Sequence, residues 1–272
     1  MSLRRIGLVA WHVLKEGLRD RVLYGIGTFA LLLVAASLLI GQITAGEDVK
    51  IIKDLGLATI ELAGILMTVF IGVGLVAREI DRRSIFALLA KPLPRWEFVV
   101  GKYFGLVLTI TVNLAAMTAA LYIMLAYLDW RALPIERQAL DAPATDPRLL
   151  IAIVMIAAEM ALLTAVALFF STFSSSALLS IAFTVGIFLA GLLSQDLRRF
   201  GDIVEVPPVT AGFVSAIGWI IPAFSAFDVK AQIVHGLPLA PSFVPFTLAY
   251  AISYVLAVLV AAVMVFSRRE FK

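Results

Sequence analysis

The sequence predicts an all-α polytopic membrane protein with six transmembrane helices. Of its residues 62% are hydrophobic and 15% are charged, whereas an ordinary soluble domain is about 45–50% apolar and about 25% charged. Several apolar runs exceed the roughly 20 residues that a helix needs to cross about 30 Å of hydrocarbon. These runs are continuous, whereas a β-barrel would show segments of about ten residues that alternate apolar and polar positions.

The N-terminal segment, residues 4–21, is predicted to be an amphipathic helix in the membrane interface. Its apolar side chains, such as Ile6, Val9 and Val13, have helical spacing, and Arg5 and His12 fall on the opposite side. The whole chain, 1–272, is predicted to be a single transmembrane domain that includes this helix. Its predicted spans are 22–43, 57–77, 98–128, 149–170, 176–194 and 243–266.

The segments between the spans carry turn and loop signals. Residues 44–54 are predicted to be a short polar loop, and residues 129–148 contain three prolines. Between the fourth and fifth spans, the hydroxyls of Ser171–Ser176 compete for backbone hydrogen bonds and favour a tight turn.

The distribution of basic residues predicts the orientation. With six spans, the N-terminus, the 78–97 loop and the C-terminus share one side, which carries about fourteen Lys and Arg against about eight on the other. The positive-inside rule then places both termini in the cytoplasm, and a bacterial cytoplasmic (inner) membrane fits best. Residues 195–242 become an outer loop. Their apolar stretch 211–227, broken by Pro222, is predicted to be re-entrant or to lie in the membrane interface, which requires protein or water to satisfy its backbone.

No catalytic or cofactor-binding constellation is found. The chain has no cysteine, which excludes thiolate metal sites and cysteine nucleophiles. Gly101-Lys102 is not a P-loop, because Trp96 replaces the earlier glycine and Tyr103 the Ser or Thr. We therefore expect a chain that is not an enzyme, binds no cofactor or metal and has no nucleic-acid partner.

Three polar residues lie inside predicted spans, where ionisable groups are costly and usually face protein or water. Glu61 lies near the outer end of its span and is interpreted as an interface acid. Glu159 lies deeper and fits equally well a satisfied packing acid or a residue that lines a translocation path. Asn113 is expected to bond a neighbouring helix.

The charged interruption 78–95 is the most informative segment. Ile85, Leu88 and Leu89 follow the i, i+3, i+4 spacing of one helix face, and prolines end the helix. An ordinary positive-inside loop needs the basic residues but no apolar face, whereas an apolar stripe flanked by charge suits a groove in a partner protein.

This segment resembles the coupling-helix signature of type-2 ATP-binding-cassette (ABC) exporter permeases. The resemblance rests on Glu79, on Ile85–Arg95 and on Val99-Val-Gly-Lys102. It extends to the amphipathic N-terminal helix, the six spans, the Ser-rich turn and the segment Pro222–Phe227. The chain has Arg83-Ser84 or Ser84-Ile85 where many members of the family have Gly-Thr.

The resemblance implies an exporter that is driven by separate subunits. Two copies of an ABC ATPase would hold ATP and Mg, and a second permease subunit, an identical copy by expectation, would complete the transporter in contact with membrane lipids and possible accessory proteins. The implied ATPase-docking residues are Glu79, Arg83, Ser84, Ile85, Leu88 and Leu89. The implied outer-gate residues are Trp219, Pro222, Phe224 and Phe227. The competing hypothesis is a stand-alone secondary carrier or channel, which would favour ionisable groups clustered near the midplane and an inverted repeat.

Overall fold

The computed structural model describes residues 2–41, 48–81, 94–131, 145–174, 176–203 and 207–268. The described residues are all-α: 88% of them are helical, and none forms a strand. This confirms the predicted class, a polytopic α-helical membrane protein.

The described helices follow one another with short connections. In chain order they are α1 (Ser2–Gly17), α2 (Arg21–Gly41), α3 (Asp48–Asp81), α4 (Arg95–Arg131), α5 (Leu149–Phe173), α6 (Ala177–Leu192), α7 (Ser194–Arg198), α8 (Phe200–Ile203), α9 (Pro208–Ile220), α10 (Lys230–Val234) and α11 (Phe243–Arg268), with a 3₁₀ turn at Phe224–Phe227.

Four of the described helices, α3, α4, α5 and α11, are long and apolar enough to cross a membrane. A fifth crossing is possible if α9 and the chain from Phe224 to Val234 count as one span, although they are bent by 48°. The described apolar parts of α2 and α6 are shorter. The six-span arrangement therefore stays a prediction.

Helix α5 is the centre of the bundle and α11 lies at its edge. In α5, 61% of the apolar window is buried inside the protein, against 17% in α11. Helix α5 is apolar on most of its surface and largely enclosed by its neighbours, although Leu150 and Val154 near its start remain exposed. Helix α11 fully buries only one stripe, Thr247, Ala251, Leu259, Ala262 and Phe266. Its side chains Ile252, Leu256 and Val260 are exposed.

Glycines bring α3 close to α5. A Cβ atom added to Gly64 would lie 3.1 Å from the sulfur of Met160, and one added to Gly72 would lie 3.2 Å from the Cβ of Ala167. The hydroxyl of Thr68 donates to the same sulfur at 3.5 Å. Small residues of this kind allow membrane helices to pack at short range.

Helix α1 packs along the first turns of α4. A Cβ atom on Gly101 would lie 2.8 Å from the Cβ of Val9, and one on Gly105 would lie 2.6 Å from the Cβ of Val13. The two helices run in the same direction, since the earlier residue Val9 meets Gly101 and the later residue Val13 meets Gly105. The predicted apolar face of α1 is therefore used, at least in part, against protein, while Leu3, Leu8 and Trp11 remain exposed.

Three helices extend further than the sequence predicted. Residues 48–54, predicted as loop, form the first turns of α3, where Lys53 and Leu57, one turn apart on one face, are both buried. Helix α5 continues to Phe173, into the first half of the predicted Ser-rich turn. Helix α4 has 37 residues, about 55 Å at 1.5 Å per residue. It is thus longer than the roughly 30 Å of hydrocarbon, and it must tilt or project beyond the membrane.

Candidate functional site

Three charged side chains meet where α3, α10 and the chain before α10 come together. The ammonium group of Lys230 forms a salt bridge with the carboxylate of Glu61. The same ammonium lies 3.3 Å from Oδ1 of Asp228. The side chains of Lys230 and Glu61 are only 18% and 16% exposed. This pair therefore joins α3 to the bent segment, which we define as residues 208–235.

Glu159 lies beside this pair on α5 and is 2% exposed. Glu159 precedes Met160 in α5, and Met160 packs against Gly64 of α3, which lies one helical turn after Glu61. The close contact between α3 and α5 therefore brings Glu159 near Glu61. Glu159 lies within electrostatic range of Glu61, Lys230 and Asp228. The described residues supply no hydrogen-bond partner for its carboxyl group. A carboxylate in this condition is costly unless it is protonated or meets a cation.

A second pair of ionisable side chains, Asp54 and His235, lies near the end of α10. Oδ2 of Asp54 lies 4.0 Å from Nε2 of His235, and both side chains are about half exposed. We call Asp54, Glu61, Glu159, Asp228, Lys230 and His235 the charged cluster. Four carboxyl groups thus face one permanent cation, Lys230. Among the described residues no group of three or more His, Cys, Asp or Glu has the geometry for a metal ion.

Two tyrosines of α11 hold the middle of the bent segment. The backbone N–H of Ala223 donates to the hydroxyl oxygen of Tyr250 at 2.8 Å. The hydroxyl of Tyr254 donates to the carbonyls of Trp219 at 3.2 Å and Ile220 at 3.0 Å. The break between α9 and the 3₁₀ turn frees backbone groups, and these hydroxyls satisfy some of them, as an irregular segment at membrane depth requires.

The predicted gate residues occupy different environments. Phe224 and Phe227 are 0% and 1% exposed, and the ring of Phe224 packs 5.1 Å from that of Phe188 on α6. Pro222 is also buried. Trp219 is 66% exposed, and the guanidinium of Arg198 lies 4.5 Å from its ring centroid. Of the four residues, only Trp219 presents its side chain to a surface in this conformation.

Asn113 lies apart from the charged cluster. It borders a groove of about 350 Å³ between α2 and α4, together with Tyr24, Gly27 and Met117. Its side-chain amide donates to the carbonyl of Thr109 in the same helix at 2.8 Å. This bond lies within α4, since the carbonyl one turn earlier is a near acceptor, and the bond to a neighbouring helix stays a prediction.

The predicted docking residues lie at the opposite end of α3. Arg83, Ser84, Ile85, Leu88 and Leu89 fall outside the described residues, and Glu79 lies in the last turns of α3 without a described side chain. The chain re-enters the described structure at Pro94. There Arg95 donates to the carbonyls of Phe266 and Ser267, at 3.2 and 2.8 Å, and so ties the start of α4 to the end of α11.

Sequence reasoning missed six residues of this site: Asp228, Lys230, Asp54, His235, Tyr250 and Tyr254. A signal for the first two was present, since Asp228-Val-Lys230 is an isolated charge pair that directly follows an apolar segment. Such a pair suggests a partner across the fold. The tyrosines gave no signal, because tyrosine is common near the ends of membrane helices.

The long apolar helices, the bent segment and the buried charges define a multi-pass membrane protein with a polar junction between helices. Residues 8–271 match the family described as ABC-2 family transporter protein. The chain therefore belongs to this family of ABC transporter permeases, which in general work with a partner ATPase subunit. No curated protein matches the chain.

Proposed function

We propose that this protein is the membrane subunit of an exporter in which a separate ATPase supplies the energy. Its family membership carries the proposal. Helix α3 supports it further, since it continues without a break from Asp48 to Asp81 and enters the 78–95 segment directly. We further propose that the subunit lies in the bacterial cytoplasmic membrane with both termini in the cytoplasm, as the basic residues indicate.

ATP and Mg are held by the partner ATPase in this proposal, because the sequence of the permease carries no P-loop. Two ATPase copies serve two permease copies. Each ATPase receives the apolar face of Ile85, Leu88 and Leu89 in a groove, with Glu79, Arg83 and Ser84 beside it. The permease chain itself is then not an enzyme and needs no cofactor.

Force on the docking segment reaches the rest of the protein through two long helices. Helix α3 leaves one end of the segment and α4 leaves the other at Arg95. From Asp81 to Glu61 the rise along α3 is about 30 Å, enough to carry a displacement to the charged cluster. Helix α1 moves with α4, because it packs against Gly101 and Gly105 at backbone distance. Rigid elements of this kind transmit rigid-body shifts.

The bent segment forms the outer gate in this proposal. Its buried Phe224 and Phe227 close it against α6 and α11, and the exposed Trp219 meets the second permease copy or the cargo. Mostly apolar helices suit a cargo with a large apolar part. A stand-alone carrier would also need charged groups such as this cluster. If transport persists without the ATPase, the proposed ATP-driven exporter is refuted in favour of a stand-alone carrier.

Docking is tested by co-purifying the permease with its ATPase. Leu88→Asp places a charge on the proposed apolar face and is expected to weaken binding at least about tenfold, as for a central interface residue. Arg83→Glu should weaken it as well. Leu237→Asp is the matched control, because Leu237 is 54% exposed and lies on the proposed outer side. Equal recovery of the ATPase with L88D and L237D would show that the ATPase docks elsewhere.

A further inference from the structure

The salt bridge between Glu61 and Lys230 joins elements that are distant in the sequence. Glu61 belongs to α3, and Lys230 begins α10 in the bent segment. Both side chains are more than four-fifths buried. An ion pair in such surroundings is screened far less than a surface pair, and removal of one partner leaves an uncompensated charge. The pair thus fastens the bent segment to the bundle.

Glu159 offers the same lysine a second carboxylate. It is almost fully buried on the central helix α5, near both members of the pair, and no described residue hydrogen-bonds its carboxyl group. The lysine ammonium sits on a flexible four-carbon stem with three donors, so its position can change by rotation about side-chain bonds. Two carboxylates and one ammonium give two alternative pairings.

We propose that Glu61, Glu159 and Lys230 form a two-position latch for the bent segment. In the first position Lys230 pairs with Glu61, which is the pairing that the structure shows, and Glu159 carries a proton in this proposal. In the second position Lys230 pairs with Glu159, which has released its proton to the surrounding water, and Glu61, at the less buried end, faces water. Lys230 thus changes partner between Glu61 on α3 and Glu159 on α5, the two helices that pack together at Gly64.

The other charged groups around the latch influence the relative stability of its two positions. On α3, Asp54 adds negative charge near the end of α10. In the bent segment, Asp228 keeps a 3.3 Å contact with Lys230, and His235 faces Asp54. The described part of α5 carries no other acidic or basic side chain. Glu159 is therefore the one described side chain of α5 that can pair with Lys230. When Lys230 changes partner from Glu61 to Glu159, Glu159 loses its proton.

A single introduced cysteine can report the state of the latch. Ser225 lies in the 3₁₀ turn and its hydroxyl oxygen is buried, and the natural chain has no cysteine. Ser225→Cys in the purified full-length permease, without ATPase or nucleotide, is treated with a hydrophilic maleimide. Its labelling rate measures how often the bent segment opens. The latch does not require the proposed ATP-driven function, and this assay fails or succeeds independently of it.

Four variants in the Ser225→Cys background distinguish a latch with two positions from a single fixed salt bridge. Lys230→Met removes both pairings and should raise the labelling rate about tenfold, which corresponds to about 1.4 kcal/mol. Glu61→Gln should raise it only about threefold, because Glu159 takes over the lysine. Glu159→Gln alone should leave the rate unchanged. Glu61→Gln with Glu159→Gln should reach the rate of Lys230→Met.

The decisive quantity is the effect of Glu159→Gln in the two backgrounds, as in a double-mutant cycle. An effect only when Glu61 is also replaced supports the latch. No effect in either background overturns it in favour of a single salt bridge, and an equal increase in both backgrounds overturns it in favour of a packing role. Asp196→Asn, an exposed acid outside the cluster, is the control. If the double Gln variant does not fold, Glu159→Leu in the Glu61→Gln background removes the same carboxylate.

Discussion

Substitution of Gly105 by alanine tests whether α1 is fixed to α4 at backbone distance. The added Cβ would lie 2.6 Å from the Cβ of Val13 and 2.7 Å from the carbonyl oxygen of Ala10. Ordinary contacts between heavy atoms lie at about 3.5–4.0 Å. Because one of the two obstacles is backbone, a change of rotamer cannot relieve the overlap, and α1 must move outward by about 1 Å.

The cost of this movement follows from overpacking, which destabilises by about 1–3 kcal/mol. Part of it is offset, since alanine is favoured over glycine inside a helix by about 1 kcal/mol. Gly186→Ala is the matched control. Gly186 also lies inside a helix, α6, but a Cβ atom there meets nothing within 4 Å. The gain in helix propensity is common to both variants, so their difference isolates the overlap, at about 1–3 kcal/mol.

The assay is detergent-induced unfolding of the purified protein, followed by far-ultraviolet circular dichroism. We expect Gly105→Ala to unfold at a lower denaturing-detergent fraction than the natural protein, and Gly186→Ala at the same or a higher one. If the two variants unfold together, α1 does not pack on Gly105 as described. The rigid coupling of α1 to α4 in the proposed function would then be refuted as well.

Two further predictions concern the bent segment. Gly191→Ala should open it, because the new Cβ would overlap the ring of Phe224 and a backbone carbonyl; faster labelling of a cysteine at position 225 is the measurement, and an unchanged rate contradicts the packing. Tyr250→Phe removes the acceptor of the Ala223 N–H and should lower the free energy of unfolding by about 1–2 kcal/mol. Denaturing-detergent titration measures this loss, and an unaltered midpoint would mean that water replaces the hydroxyl.

The sequence predicted the class of protein and the position of most helices, because the membrane imposes simple local demands. A spanning helix needs about 20 apolar residues, and every backbone polar group must be satisfied within it. These demands can be read from a run of residues without knowledge of the fold. The break at Pro222 was predictable for the same reason, since proline removes a helical donor, and α9 ends two residues before it.

The site was predictable only in part. Glu61 and Glu159 were recognised as costly charges inside apolar helices, and both lie in the charged cluster. Their meeting with Lys230 was not predictable, because it depends on the packing of α3 against α5 at Gly64 and on the return of the bent segment to the same place. The intrahelical bond of Asn113 to Thr109 was not predicted either, because a carbonyl one turn earlier is available to any asparagine in a helix.

The difference between α5 and α11 shows what tertiary structure alone decided. The two helices have almost the same length and the same mean hydropathy, yet 61% of one apolar window is buried and only 17% of the other. Lipid and protein interior are equally apolar, so composition does not distinguish a central helix from a peripheral one. The sequence by itself determined that these helices enter the membrane. Close packing at a few small residues decided which of them meet, and so which charges face each other.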